Sequence, residues 1–114
     1  MVSSRIPNPL ERRHLLEREL DAAEALRIAE AYLEDGRSSE AVAFLAKAGE
    51  ADRLRALRAE AEAEGDAFQL KMIAAALEEE PSEESWRRLA EAAEASGKLR
   101  YASTARRQLE REEE

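Results

Sequence analysis

The chain has 114 residues, enough for one small domain, and Ala, Glu, Arg, Leu and Lys account for 78 of them. These five are strong helix formers, whereas Val and Ile together number only five, so the composition predicts an all-α protein and leaves little material for β-strands. The net charge of −8 argues against nucleic acid as a main partner, and the absence of cysteine excludes disulfides and thiolate metal sites.

The first predicted element is a short helix that follows an unpatterned segment. Residues 1–8 show no apolar periodicity and are predicted to form a flexible tail. Asn8 followed by Pro9 is typical of an N-cap and of the first helical position. The leucines after Pro9 indicate a helix that either breaks near Asp21, a second candidate N-cap, or continues to Asp35. The new apolar register that begins at Asp21 favours a break or bend.

Three glycines punctuate the rest of the sequence. Gly36, Gly65 and Gly97 are 29 and 32 residues apart, and each is predicted to end a helix in the left-handed conformation. The spacing predicts three helical hairpins, at about 22–48, 51–79 and 82–111. The links within and between them are so short that neighbouring helices must run antiparallel. The predicted N-caps of the second, fourth and fifth of these helices are Ser38, Asp66 and Ser82.

Apolar residues fall on one stripe of each predicted helix, as a helix that packs against a neighbour requires. The stripes are Ala25, Ile28, Ala29 and Tyr32; Ala41, Leu45 and Ala48; Leu54, Leu57 and Ala61; Leu70, Ile73, Ala74 and Leu77; and Trp86, Leu89, Ala90 and Ala93. Aromatic residues are scarce, so each of Tyr32, Phe44, Phe68, Trp86 and Tyr101 is expected to contribute a large share of the buried area.

The third hairpin carries Trp86, Leu89, Ala90, Gly97 and Ala102 in a spacing that resembles the tetratricopeptide repeat. The first hairpin resembles it through Ile28, Ala29, Tyr32, Gly36, Ala41, Leu45 and Ala48, and the second more weakly through Leu54, Leu57, Ala61, Gly65, Leu70 and Leu77. The resemblance covers roughly residues 22–109. It implies a right-handed α-solenoid of about three antiparallel hairpins, with an extra N-terminal helix, as a single domain over residues 9–114.

The resemblance also implies a concave groove, lined by the first helix of each hairpin, that binds a segment of another protein. The groove-facing places carried over to this sequence are Leu26, Glu30, Leu33, Arg55, Ala59, Glu62, Arg87, Glu91 and Glu94. The Lys and Asn residues with which the family holds acidic chaperone tails are absent from these places. The mixture indicates a partner with basic and apolar side chains, either an amphipathic helix or an extended segment. The alternative is that these charges are solvated and that binding uses an edge or an end of the stack.

The sequence contains no arrangement typical of catalysis, metal binding or cofactor binding. His14 is the only histidine, so neither a metal site nor a Ser–His pair can be assembled from the usual residues. The serines are interpreted as helix caps and surface residues, and Glu78 to Glu80 as a solvated helix end. The glycines are solitary and do not form a phosphate-binding loop. We therefore expect a protein that is not an enzyme and that needs no cofactor.

The function expected from these features is that of a non-catalytic adaptor or scaffold that binds a partner protein. The alternative is a structural protein that self-associates into a homo-oligomer through its N-terminal helix or an end of the stack. A long coiled coil is the structural rival, but its heptads would have to pass through Pro81 and the three glycines. No segment approaches the ~20 apolar residues of a membrane span, so a cytoplasmic protein without membrane insertion is expected.

Overall fold

The computed structural model describes residues 6–113, and every regular element in that range is a helix. The seven helices are α1 (Pro9–Glu17), α2 (Ala22–Glu34), α3 (Ser38–Lys47), α4 (Ala51–Glu64), α5 (Ala67–Leu77), α6 (Glu83–Ala95) and α7 (Leu99–Glu113). This confirms the all-α prediction and the break before Asp21. The predicted tail, residues 1–8, falls partly on residues 1–5, which lie outside the described residues. Within residues 6–113, no helix has the length and apolar character needed to span a bilayer.

The chain divides into two compact units, and the division falls within α4. Unit 1 is Met1–Leu54 and unit 2 is Arg55–Glu114. In unit 1, α2 packs against α3, whereas in unit 2 α7 packs against both α5 and α6. The solenoid arrangement and the single domain over 9–114 therefore stay predictions.

Polar side chains cap four of the helices at the predicted positions. Asn8, Asp21, Asp66 and Ser82 each accept a hydrogen bond from a backbone N–H two or three residues later, at 2.9–3.2 Å. The prediction for Ser38 is wrong, since it is the first residue of α3 and Arg37 precedes it without a side-chain cap. Arg37 instead holds the first turn through Glu40, at 2.5 and 2.8 Å, and this hydrogen-bonded pair keeps the pKa of Glu40 below its usual range.

The helices α2 to α6 all end in the same left-handed turn. The residues with positive φ are Gly36, Gly49, Gly65, Glu78 and Gly97, at 56–73°. In each case the next residue donates its backbone N–H to the carbonyl five residues earlier, at 2.8–3.1 Å, which is the Schellman arrangement. The three predicted stops are confirmed. Gly49 and Glu78 serve the same role without having been predicted, and α5 ends two residues early because Glu78 turns left-handed.

The core of unit 2 combines the predicted stripes of α5 and α6 with three buried residues of α7, for which no stripe was predicted. These are Ala102, Ala105 and Leu109. Trp86 is 3% exposed, and the other three members of its stripe are fully buried. α4 approaches α6 closely at Gly65, where a Cβ atom would lie 2.6 Å from the Cα of Ala93. Glycine and alanine at this contact allow the two backbones to meet.

In unit 1, Arg12 of α1 contacts an aromatic pair formed by α2 and α3. Tyr32 and Phe44 stack with their ring centroids 5.8 Å apart, and the Arg12 guanidinium lies 5.2 and 5.3 Å from the two centroids. Arg12 also donates to the backbone carbonyl of Glu40 at 3.0 Å. No residue of α1 is fully buried, and Leu10 is 63% exposed, so α1 contributes little to the core.

The prediction that every aromatic residue contributes to the core is wrong for Phe68, which is 61% exposed. At about 100° per residue, Phe68 lies on the face of α5 opposite Leu70, Ile73 and Ala74, which are buried. Its neighbour Ala67 takes the inward position at the start of the helix. Scarcity of aromatic residues therefore did not by itself predict burial.

Candidate functional site

The nine predicted groove residues are distributed over both units. Leu26, Glu30 and Leu33 lie on α2 in unit 1, whereas Arg55, Ala59 and Glu62 on α4 and Arg87, Glu91 and Glu94 on α6 belong to unit 2. In unit 1 both leucines are half-buried, and Glu30 is exposed and pairs with Arg53 at 3.4 Å. This part of α2 borders a shallow depression of about 270 Å³, to which only Glu30 of the three contributes.

In unit 2 the three α4 residues lie together in a cleft of about 330 Å³ between α4, the link after α5 and the start of α6. We call it the α4–α6 cleft; its lining residues are Arg55, Arg58, Ala59, Glu62, Glu79, Glu80, Ser82, Ser85 and Arg88. The predicted α6 residues do not line it. The structure thus brings three of the nine predicted residues into one cleft, together with six that the sequence did not assign to it.

Glu79 lies between two arginines of α4 in this cleft. Arg55 Nη2 donates to Glu79 Oε2 at 2.8 Å, and Arg58 Nη1 donates to Glu79 Oε1 at 2.9 Å. These hydrogen bonds, first from Arg55 and then from Arg58, hold the pKa of the Glu79 carboxyl below its usual range. The attraction is therefore present above the ordinary carboxyl pKa and is lost as the pH falls through the lowered value.

Glu62 is the one predicted groove residue that the fold buries, at 7% exposure. Its carboxylate accepts a hydrogen bond from the Ser85 hydroxyl and another from Arg88 Nε, the latter at 3.1 Å. A buried carboxylate needs such partners, because an unpaired charge away from water is costly. Glu62 therefore braces α4 against α6, and its carboxylate is directed at Ser85 rather than at solvent.

The α6 members of the predicted groove are exposed and engaged with neighbours on their own unit. Arg87 lies 3.5 Å from Glu84, and Glu94 accepts a hydrogen bond from Arg106 at 2.7 Å. Glu94, and to a smaller extent Glu91, raise the pKa of the Arg106 guanidinium. The charges on this face thus form short-range pairs at the protein surface.

Sequence reasoning missed Glu79, Ser85 and Arg88 as parts of the cleft. The sequence pattern indicates a solvated helix end for Glu79 and a cap or surface position for Ser85. Glu79 is 24 positions from Arg55, and Glu62 is 23 from Ser85, so no local periodicity links them. The available signal was the position of Ser85 beside Trp86 at the start of an inward-facing stripe.

The lining of the α4–α6 cleft is suited to binding charged groups. Its walls alternate guanidinium and carboxylate groups, and Arg55 and Glu79 keep 44% and 41% of their side chains exposed. His14 is exposed on α1 in unit 1. Among residues 6–113, no group of three or more His, Cys, Asp or Glu side chains has a metal-binding arrangement.

Comparison with protein-family models found no match to this chain. Comparisons with curated proteins and with solved structures found none either.

Proposed function

We propose that this protein is a non-catalytic adaptor of tetratricopeptide-like architecture that binds a segment of another protein. The observation that carries the proposal is the α4–α6 cleft, which gathers Arg55, Ala59 and Glu62 on one surface of unit 2. The resemblance assigns the same three residues to the binding groove. The cleft and the resemblance therefore both support a binding site on the same surface of α4.

The positions of the helix ends support the repeat architecture. Gly36 and Gly65 are 29 residues apart, and so are Gly49 and Glu78. Both helix ends of the first hairpin thus recur at the same interval in the second. A shared period for both members of a hairpin is expected of a repeat protein, because each repeat is one supersecondary unit.

The energetics of the cleft suit reversible binding. Exposed ion pairs are individually weak because solvent screens them, so a partner's charges can replace them at small cost. Arg55 and Glu79 remain more than two-fifths exposed while paired, which leaves both accessible to a second protein. A basic residue of the partner can pair with Glu79, and an acidic one can pair with Arg55.

The first test uses the triple variant Arg55→Ala, Arg87→Ala and Glu91→Ala, in which Arg55 lines the α4–α6 cleft and the other two residues represent the predicted groove on α6. The full-length chain is used to isolate its partner from native lysate, and the Kd for that partner is then measured by titration calorimetry. We expect the Kd to rise at least about 10-fold, because three exposed contacts of modest strength are lost together. The circular dichroism spectrum should not change, since all three side chains are exposed.

The matched control removes two arginines and one glutamate elsewhere on unit 2, through Arg100→Ala, Arg107→Ala and Glu110→Ala. These residues are exposed on α7 and outside the predicted groove, and the change in net charge is the same. A Kd that is equal in wild type and triple variant would exclude the groove assignment. Failure to isolate any partner would contradict the adaptor function itself.

Self-association is the second candidate function, and the exposure of α1 favours it. α1 buries no residue completely, and Leu10, at 63% exposure, presents an apolar side chain to solvent. A second copy could cover this face of α1. Light scattering over a range of concentrations should then show a dimer that Leu10→Glu dissociates, whereas a monomer at the highest concentration would rule the candidate out.

A further inference from the structure

Unit 2 contains a second and larger cleft, of about 440 Å³. It lies between the end of α5, the α5–α6 link and α7. We call it the Trp86 cleft; its lining residues are Lys71, Ala74, Ala75, Glu78, Glu79, Glu80, Pro81, Trp86, Gln108 and Glu112. Its volume falls within the range of about 300–1,000 Å³ found for ligand sites. No groove residue carried over from the resemblance lines it.

The Trp86 cleft combines an apolar wall with an acidic one. Ala75 and Pro81 provide the accessible apolar surface, and the nearly buried Ala74 and Trp86 lie beside them. The charged residues are four glutamates and one lysine, and Glu79 is already neutralised by two arginines. The remaining charged residues of the cleft are three glutamates and one lysine, namely Glu78, Glu80, Glu112 and Lys71. Among the described residues, none of the ion pairs involves these three glutamates, so the cleft has an excess of negative charge over an apolar floor.

The helix end that borders the Trp86 cleft differs from the other left-handed helix ends in its residue type. Four of the five left-handed helix ends use glycine, but α5 uses Glu78, at a φ of 56°. A side chain in this conformation is unfavourable, and glutamates after the last turn of a helix also oppose its dipole. α5 has no basic residue in its last turn to compensate. The sequence thus places carboxylates at the helix end where neither the backbone nor the dipole favours them.

We propose that the Trp86 cleft is the docking site for a basic amphipathic helix of a partner protein, with an arginine or lysine of that helix among Glu78, Glu80 and Glu112. The inference rests on the proposed adaptor function and names both the surface and the partner class. Charge complementarity selects this occupant, since an acidic segment would meet three carboxylates. The apolar residues of the partner helix would cover Ala75 and Pro81 beside Trp86, as in helix-in-groove recognition.

Trp86 provides a direct readout of this cleft, because it is the only tryptophan in the chain. Trp86 lines the cleft and is nearly buried, so an occupant would change the polarity around it. Intrinsic fluorescence therefore reports on the Trp86 cleft, while an independent measurement of affinity reports on binding in general.

The experiment uses the full chain and a synthetic helical peptide with arginines on one face and leucines on the other. A second peptide carries glutamine in place of every arginine. We expect the arginine peptide to bind with a Kd on the order of 10–100 µM and to shift the Trp86 emission. The glutamine peptide should bind at least about 10-fold more weakly, and added salt should weaken the arginine peptide.

Two variants remove carboxylates from the rim of the Trp86 cleft and test whether they bind the arginine peptide. Glu80→Gln with Glu112→Gln should raise the Kd for the arginine peptide about 10-fold, because two carboxylates are lost. Glu78→Gly should raise the Kd about 3-fold while raising the Tm by about 4 °C, since glycine relieves the left-handed conformation. A variant that is more stable yet binds less well cannot owe its weaker binding to unfolding.

The control variant, Glu60→Gln with Glu110→Gln, removes the same charge from exposed positions outside the cleft and should leave the Kd within about 2-fold. The proposal is overturned if the wild type does not bind the arginine peptide, or if the rim variants bind it as tightly as the wild type. If the peptide instead loses affinity only in the Arg55, Arg87 and Glu91 triple variant, the Trp86 cleft is excluded and the adaptor function is retained.

Discussion

Replacing Gly65 with alanine should lower the free energy of unfolding of unit 2 by about 3–4 kcal/mol. Two costs add at this position. The left-handed φ of 71° is unfavourable for any residue with a side chain, by about 1 kcal/mol or more. The new Cβ would also lie 2.6 Å from both the Cα and the backbone nitrogen of Ala93, so α4 and α6 would have to separate. Urea unfolding followed by Trp86 fluorescence measures the effect within unit 2.

Gly97→Ala is the matched control for that prediction. Gly97 has nearly the same φ, 73°, in the same unit, but an added Cβ would meet no atom within 4 Å. Its replacement should cost only the conformational term, about 1 kcal/mol. Equal losses at the two positions would contradict the close approach of α4 and α6 at Gly65.

Replacing Trp86 with alanine should lower the free energy of unfolding of unit 2 by about 3–5 kcal/mol. Trp86 is 3% exposed and has the largest side chain in the core, so its removal forfeits burial and enlarges the neighbouring cleft. Such a loss is a large fraction of the 5–15 kcal/mol that is typical of a folded domain, by rough estimate. Far-ultraviolet circular dichroism must follow the urea transition, because the fluorescent residue is gone.

Phe68→Ala is the corresponding control, as it removes an aromatic side chain from the same unit. Phe68 is 61% exposed, so we expect a loss of less than about 0.5 kcal/mol. A loss comparable to that of Trp86→Ala would show that Phe68 is buried in solution. Trp86→Phe should fall between the two, since it keeps an aromatic ring at the core position.

The helices and their ends follow from local chemistry, and most could therefore be predicted. A cap such as Ser82 or Asp66 acts on backbone groups two or three residues away, so its partners are present in the adjacent sequence. The glycine stops act over five residues for the same reason. The failures also have local causes: Arg37 rather than Ser38 precedes α3, and Glu78 occupies a position where glycine is the usual residue.

The candidate surfaces were predicted only in part, because they depend on contacts between distant residues. The structure places Arg55 and Ala59 of α4 in the lining of the α4–α6 cleft, which their assignment to one helix did not determine. Glu62 lies on the same helix, yet its carboxylate is buried against Ser85, and nothing in the spacing of α4 indicates this. Residues of one predicted face can therefore differ in exposure once a second helix packs on them.

Composition, apolar periodicity and capping residues were enough to establish an all-helical chain, the approximate bounds of its helices and the stripes that face the core. These properties arise from interactions within one or two turns of the backbone. Tertiary packing decided which charges meet: that Glu79 lies between two arginines, that Gly65 contacts Ala93, and that Trp86 borders a cleft rimmed by glutamates. Such contacts join residues more than 20 positions apart, and their geometry is set by how whole helices pack rather than by any local pattern.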